Sequence, residues 1–156
     1  MSQELCPCGS RKKFSYCCEK YHLAKESPAT AEQLMRSRYT AFCTGNIDYL
    51  VATLHPDKRK KSDARELAKT INNTTWLGLT IVSTTQGKKK DIIGYVEFMA
   101  AFKIDKPQQL HERSKFVKED GKWFYVDGEF LPDLVLKGND KCWCGSQKKY
   151  NKCHGK

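Results

Sequence analysis

The sequence lacks any apolar run approaching the ~20 residues that a membrane-spanning helix needs, and no apolar segment follows Met1 as it would in a secretory signal. It also lacks a phosphate loop, a nucleotide fingerprint and a Ser-His-carboxylate set. With no catalytic constellation in view, the sequence disfavours an enzyme. We therefore expect a soluble cytoplasmic protein with no membrane span, in a compartment that keeps thiols reduced.

Acidic side chains are scarce relative to basic ones. The 156 residues include 28 Lys and Arg against 18 Asp and Glu, a formal net charge of +10. Such a balance favours nucleic acid, the ribosome or an acidic protein surface as a partner. The alternative is a well-solvated protein with surplus lysines, because the positive charge is dispersed along the chain.

Cysteine is nearly absent from the middle of the chain. Seven of the eight Cys lie in residues 6–18 and 142–154, and only Cys43 stands apart, with no activating base in view. In both segments one residue separates the first two ligand positions and eight residues precede the last two, and the segments are identical at seven of 13 positions. The same motif is therefore present twice.

Four soft ligands at a repeated spacing are typical of structural zinc. Disulfides are the alternative, but a histidine in place of the last cysteine breaks a disulfide pairing and preserves a zinc site. We therefore expect two zinc ions per chain, with Gly9 and Gly145 turning the ligand loops and Phe14 or Tyr150 covering the metal. The predicted metal ligands are Cys6, Cys8, Cys17 and Cys18 in the first copy and Cys142, Cys144, Cys153 and His154 in the second.

Basic residues stand beside the ligands in both copies. Aromatic residues interleave with them, as on surfaces that stack nucleic-acid bases, although a short metal knot also needs an aromatic for its own core. The predicted basic surface comprises Arg11, Lys12, Lys13, Lys148, Lys149 and Lys152.

The residues between the two motifs predict an α+β domain. Thr30 with Gln33 forms a capping box that begins an amphipathic helix, and Gly45 ends it. Helices first and strands after are typical of the α+β class. The pattern predicts two shorter helices, at about 47–54 and 63–71, and strands at 76–85, 92–104, 109–118 and 123–127, the last two joined by a hairpin at Asp120-Gly121.

Several polar side chains are predicted to point into the interior. Arg38 falls in the middle of the apolar stripe of the first long helix, and Glu112 shares strand parity with Phe116. Because a buried charge needs a partner, we expect these two to pair. The pair is either a structural salt bridge or part of the floor of a small-molecule pocket. The predicted pocket residues are Arg38, Glu112, Ser114, Tyr125 and Asp127.

The membership of this pocket depends on the hairpin register. A two-residue turn at Asp120-Gly121 places Trp123, Tyr125 and Asp127 on the inward face, whereas a three-residue loop substitutes Phe124 and Val126.

The histidines outside the cysteine motifs offer no clear catalytic base. His55 precedes Pro56 and is expected to cap a helix end. His111 lies on the strand face opposite Glu112 and is expected to face solvent.

Both terminal segments resemble the SEC-C motif of the SecA translocation motor, at all four ligand positions and through the Gly-Ser and Lys-Lys-aromatic steps. The middle is similar to the YchJ family through residues 34–42, 76–79, 111–114 and 120–123. Its element order resembles the nuclear-transport-factor-like (cystatin-like) cone, in which a curved antiparallel sheet wraps an N-terminal helix. The resemblance implies a zinc knuckle at 1–24, a cone domain at 25–138 and a second knuckle at 139–156.

Two functions from different classes follow. The first is an interaction module that presents basic zinc knuckles to a protein or ribonucleoprotein partner. The similar element of SecA contacts SecB and the ribosome, so the resemblance implies an export- or translation-linked role. The alternative is a small-molecule binding protein or enzyme that uses the cone interior.

Overall fold

The computed structural model describes residues 4–144 and 146–155. The chain folds as an α+β domain with a small cysteine-rich turn at each end, and no helix in these residues is long and apolar enough to span a membrane. The helices are α1 (Cys18–His22), α2 (Ala31–Thr44), α3 (Ile47–Ala52) and α4 (Asp63–Asn73), and the strands are β1 (Thr75–Gln86), β2 (Ile93–Lys103), β3 (Pro107–Glu119) and β4 (Lys122–Phe130).

The four strands form one antiparallel sheet in the order β1-β2-β3-β4. The hairpin between β3 and β4 closes with a two-residue turn, in which Asp120 and Gly121 have φ angles of 51° and 78°. Positive φ at both central residues is typical of the tight turn that matches the twist of paired strands. This turn settles the register that the sequence left open, since Trp123 and Tyr125 both lie on the inward face.

Helix α2 lies against the inner face of the sheet. Its N-cap is confirmed, because the Thr30 hydroxyl accepts from the backbone N–H of Gln33 at 3.1 Å. The reciprocal bond of the predicted capping box is displaced by one residue, since the Gln33 side chain accepts from the Ala29 N–H at 2.7 Å. Gly45 ends the helix at φ 76°. Full burial of a side chain such as Leu34 or Phe116 contributes about 1.5–3 kcal/mol. The buried core consists of Ala31, Leu34, Met35, Tyr39, Val96, Phe98, Ala100, Phe116 and Trp123.

A β-bulge in β4 corrects one predicted pocket residue. Lys115 pairs with Asp127 and Phe116 pairs with Tyr125, so Val126 is an extra residue in the ladder. The side-chain alternation is therefore shifted after Tyr125. As a result Asp127 is exposed, with a carboxylate oxygen 4.0 Å from Lys58 Nζ, and it lies outside the interior.

The outer face of the sheet is also covered in part, which corrects the prediction for His111. This side chain is only 8% exposed, because the segment after β4 crosses it. The ring nitrogens of His111 lie 2.6 Å from the Pro132 carbonyl oxygen and 2.6 Å from Glu97 Oε2. Both partners are acceptors, so the charged imidazolium, with an N–H on each nitrogen, satisfies both.

The His111 contacts predict a pH-dependent stability. Burial opposes the charge, but the hydrogen bonds to the Pro132 carbonyl and to Glu97 outweigh it and raise the pKa of His111; Asp133 adds to this effect. A raised folded pKa means that the stabilisation is fully present below the unfolded value of about 6.5 and is lost as pH rises through the folded pKa. The advantage of the wild type over His111→Gln in unfolding free energy should therefore shrink as pH rises from 6 to 9, measured by urea denaturation. A constant difference would contradict the charged pairing.

Candidate metal centres and interior cavity

The first cysteine group is built by a short local hairpin. Leu5 and Lys13 form an isolated antiparallel bridge, and the Cys6 N–H donates to the Lys12 carbonyl at 2.8 Å. Gly9 turns the chain at φ 83°, as predicted, and a 3-10 turn over Phe14–Tyr16 leads into α1. This path brings the sulfurs of Cys6, Cys8, Cys17 and Cys18 within 4.8 Å of one another.

The sulfur spacing fits a tetrahedral metal ion. An ion with metal–sulfur bonds of about 2.3 Å holds its sulfurs roughly 3.8 Å apart. The Cys17 sulfur lies 3.6 Å from that of Cys8 and 4.0 Å from that of Cys18. The Ser10 hydroxyl lies 3.2 Å from the Cys17 sulfur, and Phe14 packs over the group, as the sequence predicted. The group could hold a metal ion.

The thiols of the first group cannot all carry charge without a cation. Hydrogen bonds from Cys18 and Cys6 hold the pKa of Cys8 far below its usual range. Hydrogen bonds to Cys6 and Cys8, together with burial, raise the pKa of Cys18 far above it. Without a cation, the Cys8 thiolate therefore accepts hydrogen bonds from neighbouring thiols that remain protonated. A bound cation removes this conflict, because it favours the thiolate form of all four ligands.

The second group repeats the same construction. Lys141 and Lys149 form the bridge, the Cys142 N–H donates to the Lys148 carbonyl at 2.8 Å, and the sulfurs of Cys144 and Cys153 are 3.6 Å apart. The counterpart of Gly9 in this copy, Gly145, lies outside the described residues.

His154 completes the second group in the place of a fourth cysteine. Its Nδ1 lies 3.3 Å from the Cys142 sulfur and 3.4 Å from the Cys153 sulfur. The four ligand atoms fall within 4.8 Å of one another, and the Trp143 ring stands 4.7 Å from the imidazole. This group could also hold a metal ion, through three sulfurs and one nitrogen.

The first group is integrated with α2, which sequence reasoning did not predict. The Thr40 hydroxyl donates to the Cys18 sulfur at 3.3 Å and lies 3.5 Å from the Cys6 sulfur. Arg36 of the same helix donates to the Cys8 carbonyl at 2.6 Å. The one indication in the sequence was Thr40, a polar residue between apolar neighbours of the helix, and its hydroxyl is buried in the structure.

The second group rests on the outer side of β1 and β2. Cys142 and Trp143 border a cleft there with Leu77, Met99 and Leu136. The predicted basic residues Arg11, Lys12, Lys13, Lys148, Lys149 and Lys152 are all exposed.

A cavity of about 380 Å³ lies between α2, α4 and the inner face of the sheet. Arg38, Glu112, Ser114 and Tyr125 all line it, so the structure brings together four of the five predicted pocket residues, and Asp127 is the exception. The aromatic and apolar walls, together with α4 at the rim, were not predicted. The main wall residues are Tyr39, Phe42, Trp76, Phe98 and Leu110.

The predicted direct pair between Arg38 and Glu112 is wrong. Both side chains are 8% exposed, but no ion pair joins them. Arg38 Nη1 donates to the Leu50 carbonyl at 2.8 Å and to the Thr53 hydroxyl at 2.7 Å, and the Tyr125 ring lies under the guanidinium at 4.8 Å. Helix α3 and the residue after it therefore supply the partners, which the sequence did not predict.

Glu112 is held by hydroxyl groups instead of a cation. Ser114 and Tyr125 donate to its Oε2 at 2.5 and 3.1 Å. Gly128 makes this arrangement possible, because a Cβ at that position would overlap the carboxylate. The Tyr125 side chain thus lies between the two buried charges and contacts both.

Because the two cysteine groups pack differently, removing one ligand from each group should have unequal effects on the stability of the fold. Cys8→Ser and Cys144→Ser should each lower the metal content by one ion per chain, because the groups share no ligand. Cys8→Ser should also destabilise the core by about 1–3 kcal/mol, because Cys6 and Cys18, which are buried against Thr40, lose the ion that they would share with Cys8. Cys144→Ser should change core stability by less than about 0.5 kcal/mol. Metal analysis and denaturation of both variants check this, and equal destabilisation would contradict it.

Comparison with known proteins places these features in a family. A model of the "YchJ, middle NTF2-like domain" matches residues 30–128, and the SEC-C motif matches residues 4–20 and 139–156. Proteins named UPF0225 are similar along nearly the whole chain. The protein of Serratia proteamaculans is 44% identical, covering 98% of this chain and 99% of its own length. The protein of Vibrio vulnificus is 41% identical, covering 96% and 98%.

Two solved structures agree with the fold. The solution structure of a SEC-C motif containing protein from Rhodopseudomonas palustris has a TM-score of 0.76 and 34% identity, covering 83% of this chain and 100% of that one. The crystal structure of a SEC-C motif containing protein from Psychrobacter arcticus has a TM-score of 0.70 and 30% identity, covering 99% and 97%. The chain therefore belongs to the YchJ (UPF0225) family, with an NTF2-like domain between two SEC-C motifs.

Proposed function

We propose that this protein is a cytoplasmic zinc-binding interaction module, which uses its two knuckles to contact an acidic surface of a protein or ribonucleoprotein partner. The observation that carries the proposal is the repeated cage of four ligand atoms within 4.8 Å, with exposed basic residues beside each copy. The proposed parts are the knuckles at 1–24 and 139–156 and the domain at 25–138.

Zinc is the metal that suits these ligands best. Thiolate and imidazole donors in a tetrahedral set are typical of structural zinc. All four positions of each cage come from the chain, so neither site keeps an open position for a catalytic water. The metal would hold the local hairpin closed and orient the residues around it. A structural role thus fits better than a catalytic one.

The surroundings of the cages support contact with a partner. In the second knuckle the lysines are exposed. The segment is too short to form an apolar core of its own, so the bound metal would hold it in one conformation. Because a metal-bound knuckle is already ordered, its positive side chains can bind an acidic partner with little loss of conformational entropy. Resemblance to the SEC-C element of SecA supports an export- or translation-linked partner, and a ribosome would supply acidic RNA.

Metal analysis of protein purified without chelator should find two zinc ions per chain. Mass spectrometry under native conditions should show the loaded mass, and 4-(2-pyridylazo)resorcinol should detect two equivalents after thiol modification. Cys43→Ser is the matched control, because Cys43 belongs to neither group and should leave the zinc content unchanged. A metal-free protein with disulfides in both groups would contradict the proposal.

The partner should be captured through the basic surface of the knuckles. Lys148→Ala with Lys149→Ala should weaken capture of ribosomes or of an acidic protein, and the weaker binding should depend less steeply on salt. Lys88→Ala with Lys89→Ala is the control, because it removes the same charge from an exposed loop of the middle domain. Binding is measured by co-sedimentation and pulldown over a range of KCl concentrations.

Ribonuclease treatment before the pulldown separates the two partner classes. A partner lost after treatment is a ribonucleoprotein, and a partner retained is a protein. Equal loss of capture in the two double variants would show that only net charge matters and would contradict a knuckle-specific surface.

A further inference from the structure

The interior cavity has no part in the proposed contacts of the knuckles. Its volume of about 380 Å³ falls in the range of small-molecule sites, which run from roughly 300 to 1,000 Å³. One wall is aromatic, with the Trp76 ring 5.8 Å from Tyr39 and 5.6 Å from Phe42. Such a wall suits a flat, largely apolar body.

Arg38 presents unused donors in this cavity. Burial lowers its pKa to about 10, so the guanidinium stays charged at neutral pH. Both of its hydrogen bonds leave from Nη1, to neutral acceptors on Leu50 and Thr53. Within residues 4–144 and 146–155, Nε and Nη2 make no hydrogen bond. A buried guanidinium has five N–H groups, so most of its donor capacity is available to an acceptor.

Glu112 presents the complementary group. Both hydroxyl donors reach Oε2, and Oε1 has no hydrogen-bond donor in the described part of the chain. The Glu112 carboxylate lies in space that a side chain at position 128 would fill, so Gly128 is required for this orientation of the carboxylate. The cavity therefore offers a free donor face on Arg38 and a free acceptor on Glu112.

The balance of charge limits what can bind between them. Arg38 and Glu112 contribute one positive and one negative charge, and Asp63 and Glu66 of α4 add negative charge at the rim. A ligand anion would meet three carboxylates. A ligand cation at Glu112 would lie in the interior beside the buried guanidinium, whereas the rim carboxylates are closer to solvent, where water screens their attraction. A neutral group that carries an acceptor beside a donor satisfies both faces without adding a buried charge.

We propose that the cavity binds a small neutral molecule with an amide-type group, such as a primary amide, lactam or ureide, on a flat apolar body. The carbonyl oxygen accepts from Arg38, the N–H donates to Glu112 Oε1, and the body lies against Trp76. The Trp76 indole nitrogen is buried and has no hydrogen-bond partner in the structure described. Because the Trp76 ring lines the cavity, its indole N–H signal reports on a molecule that binds against the ring.

Three matched probes test this proposal: phenylacetamide, phenylacetate and 2-phenylethylamine. They share a phenyl ring and differ in offering a neutral, an anionic or a cationic group. Each is titrated into the ¹⁵N-labelled full chain while the indole N–H signals are followed. Phenylacetamide should shift the Trp76 signal with saturation and bind at least about tenfold more tightly than the other two. The Trp123 indole, which donates to the Ala29 carbonyl at 3.1 Å, is the internal control.

The Glu112→Gln variant tests whether Glu112 selects the ligand. If Glu112 had only a structural role, the substitution would not change which probe binds most tightly. The carbonyl of the introduced side-chain amide must take the place of Oε2 to accept from Ser114 and Tyr125, which puts the amide NH₂ where Oε1 was. The site then offers donors on both sides. Phenylacetamide should lose about tenfold in affinity, and phenylacetate should become the preferred probe.

A second variant closes the cavity from its rim. Leu67 lies on α4, where no residue is buried, so Leu67→Trp should fold and should block all three probes. Preferred binding of 2-phenylethylamine would overturn the proposal in favour of an organic-cation site. An unmoved Trp76 signal with every probe at its solubility limit would also overturn it, because the cavity would then be closed to ligands.

Discussion

The position of helix α2 between three neighbours constrains the rest of the structure. Its apolar side packs on the sheet through Leu34 and Tyr39, Thr40 contacts two sulfurs of the first cysteine group, and Arg38 faces the cavity. Residues at successive positions of one helix point in different directions, so a single element can serve all three. The helix cannot shift to improve one contact without disturbing the others. The geometry of the first cysteine group and the shape of the cavity therefore depend on the same helix.

The two cysteine groups share their local construction and differ in their attachment. Each uses a short bridge, a serine that contacts a cysteine sulfur, and a 3-10 turn before the last ligands. The first is fixed to α2 by Arg36 and Thr40, whereas the second follows a segment that crosses the outer face of the sheet at His111. One motif thus becomes part of the core while the other stays at the surface. If the proposed function is right, the second copy is therefore the more accessible of the two to a partner.

Two opposite charges lie in one cavity without forming an ion pair. Arg38 contacts a carbonyl, a hydroxyl and an aromatic ring, and Glu112 accepts from two hydroxyls at one of its oxygens. A buried charge can be stabilised by neutral dipoles when several of them are held in place. Tyr125 links both sets, since its ring contacts the guanidinium and its hydroxyl donates to the carboxylate. This separation leaves polar atoms of both signs available in the interior.

The sequence by itself determined the two groups of Cys and His that could hold metal ions, the N-cap and end of α2, the hairpin at Asp120-Gly121 and the α+β class. Each of these depends on residues close together in the chain, where spacing and turn chemistry limit the geometry. Only the tertiary structure decided that Asp127 points outward, that His111 is buried and that Arg38 bonds to Leu50 and Thr53. A bulge shifts the register of β4, and segments distant in sequence cover one face or supply a partner. Such contacts arise from packing between segments distant in the sequence, so no local sequence pattern predicts them.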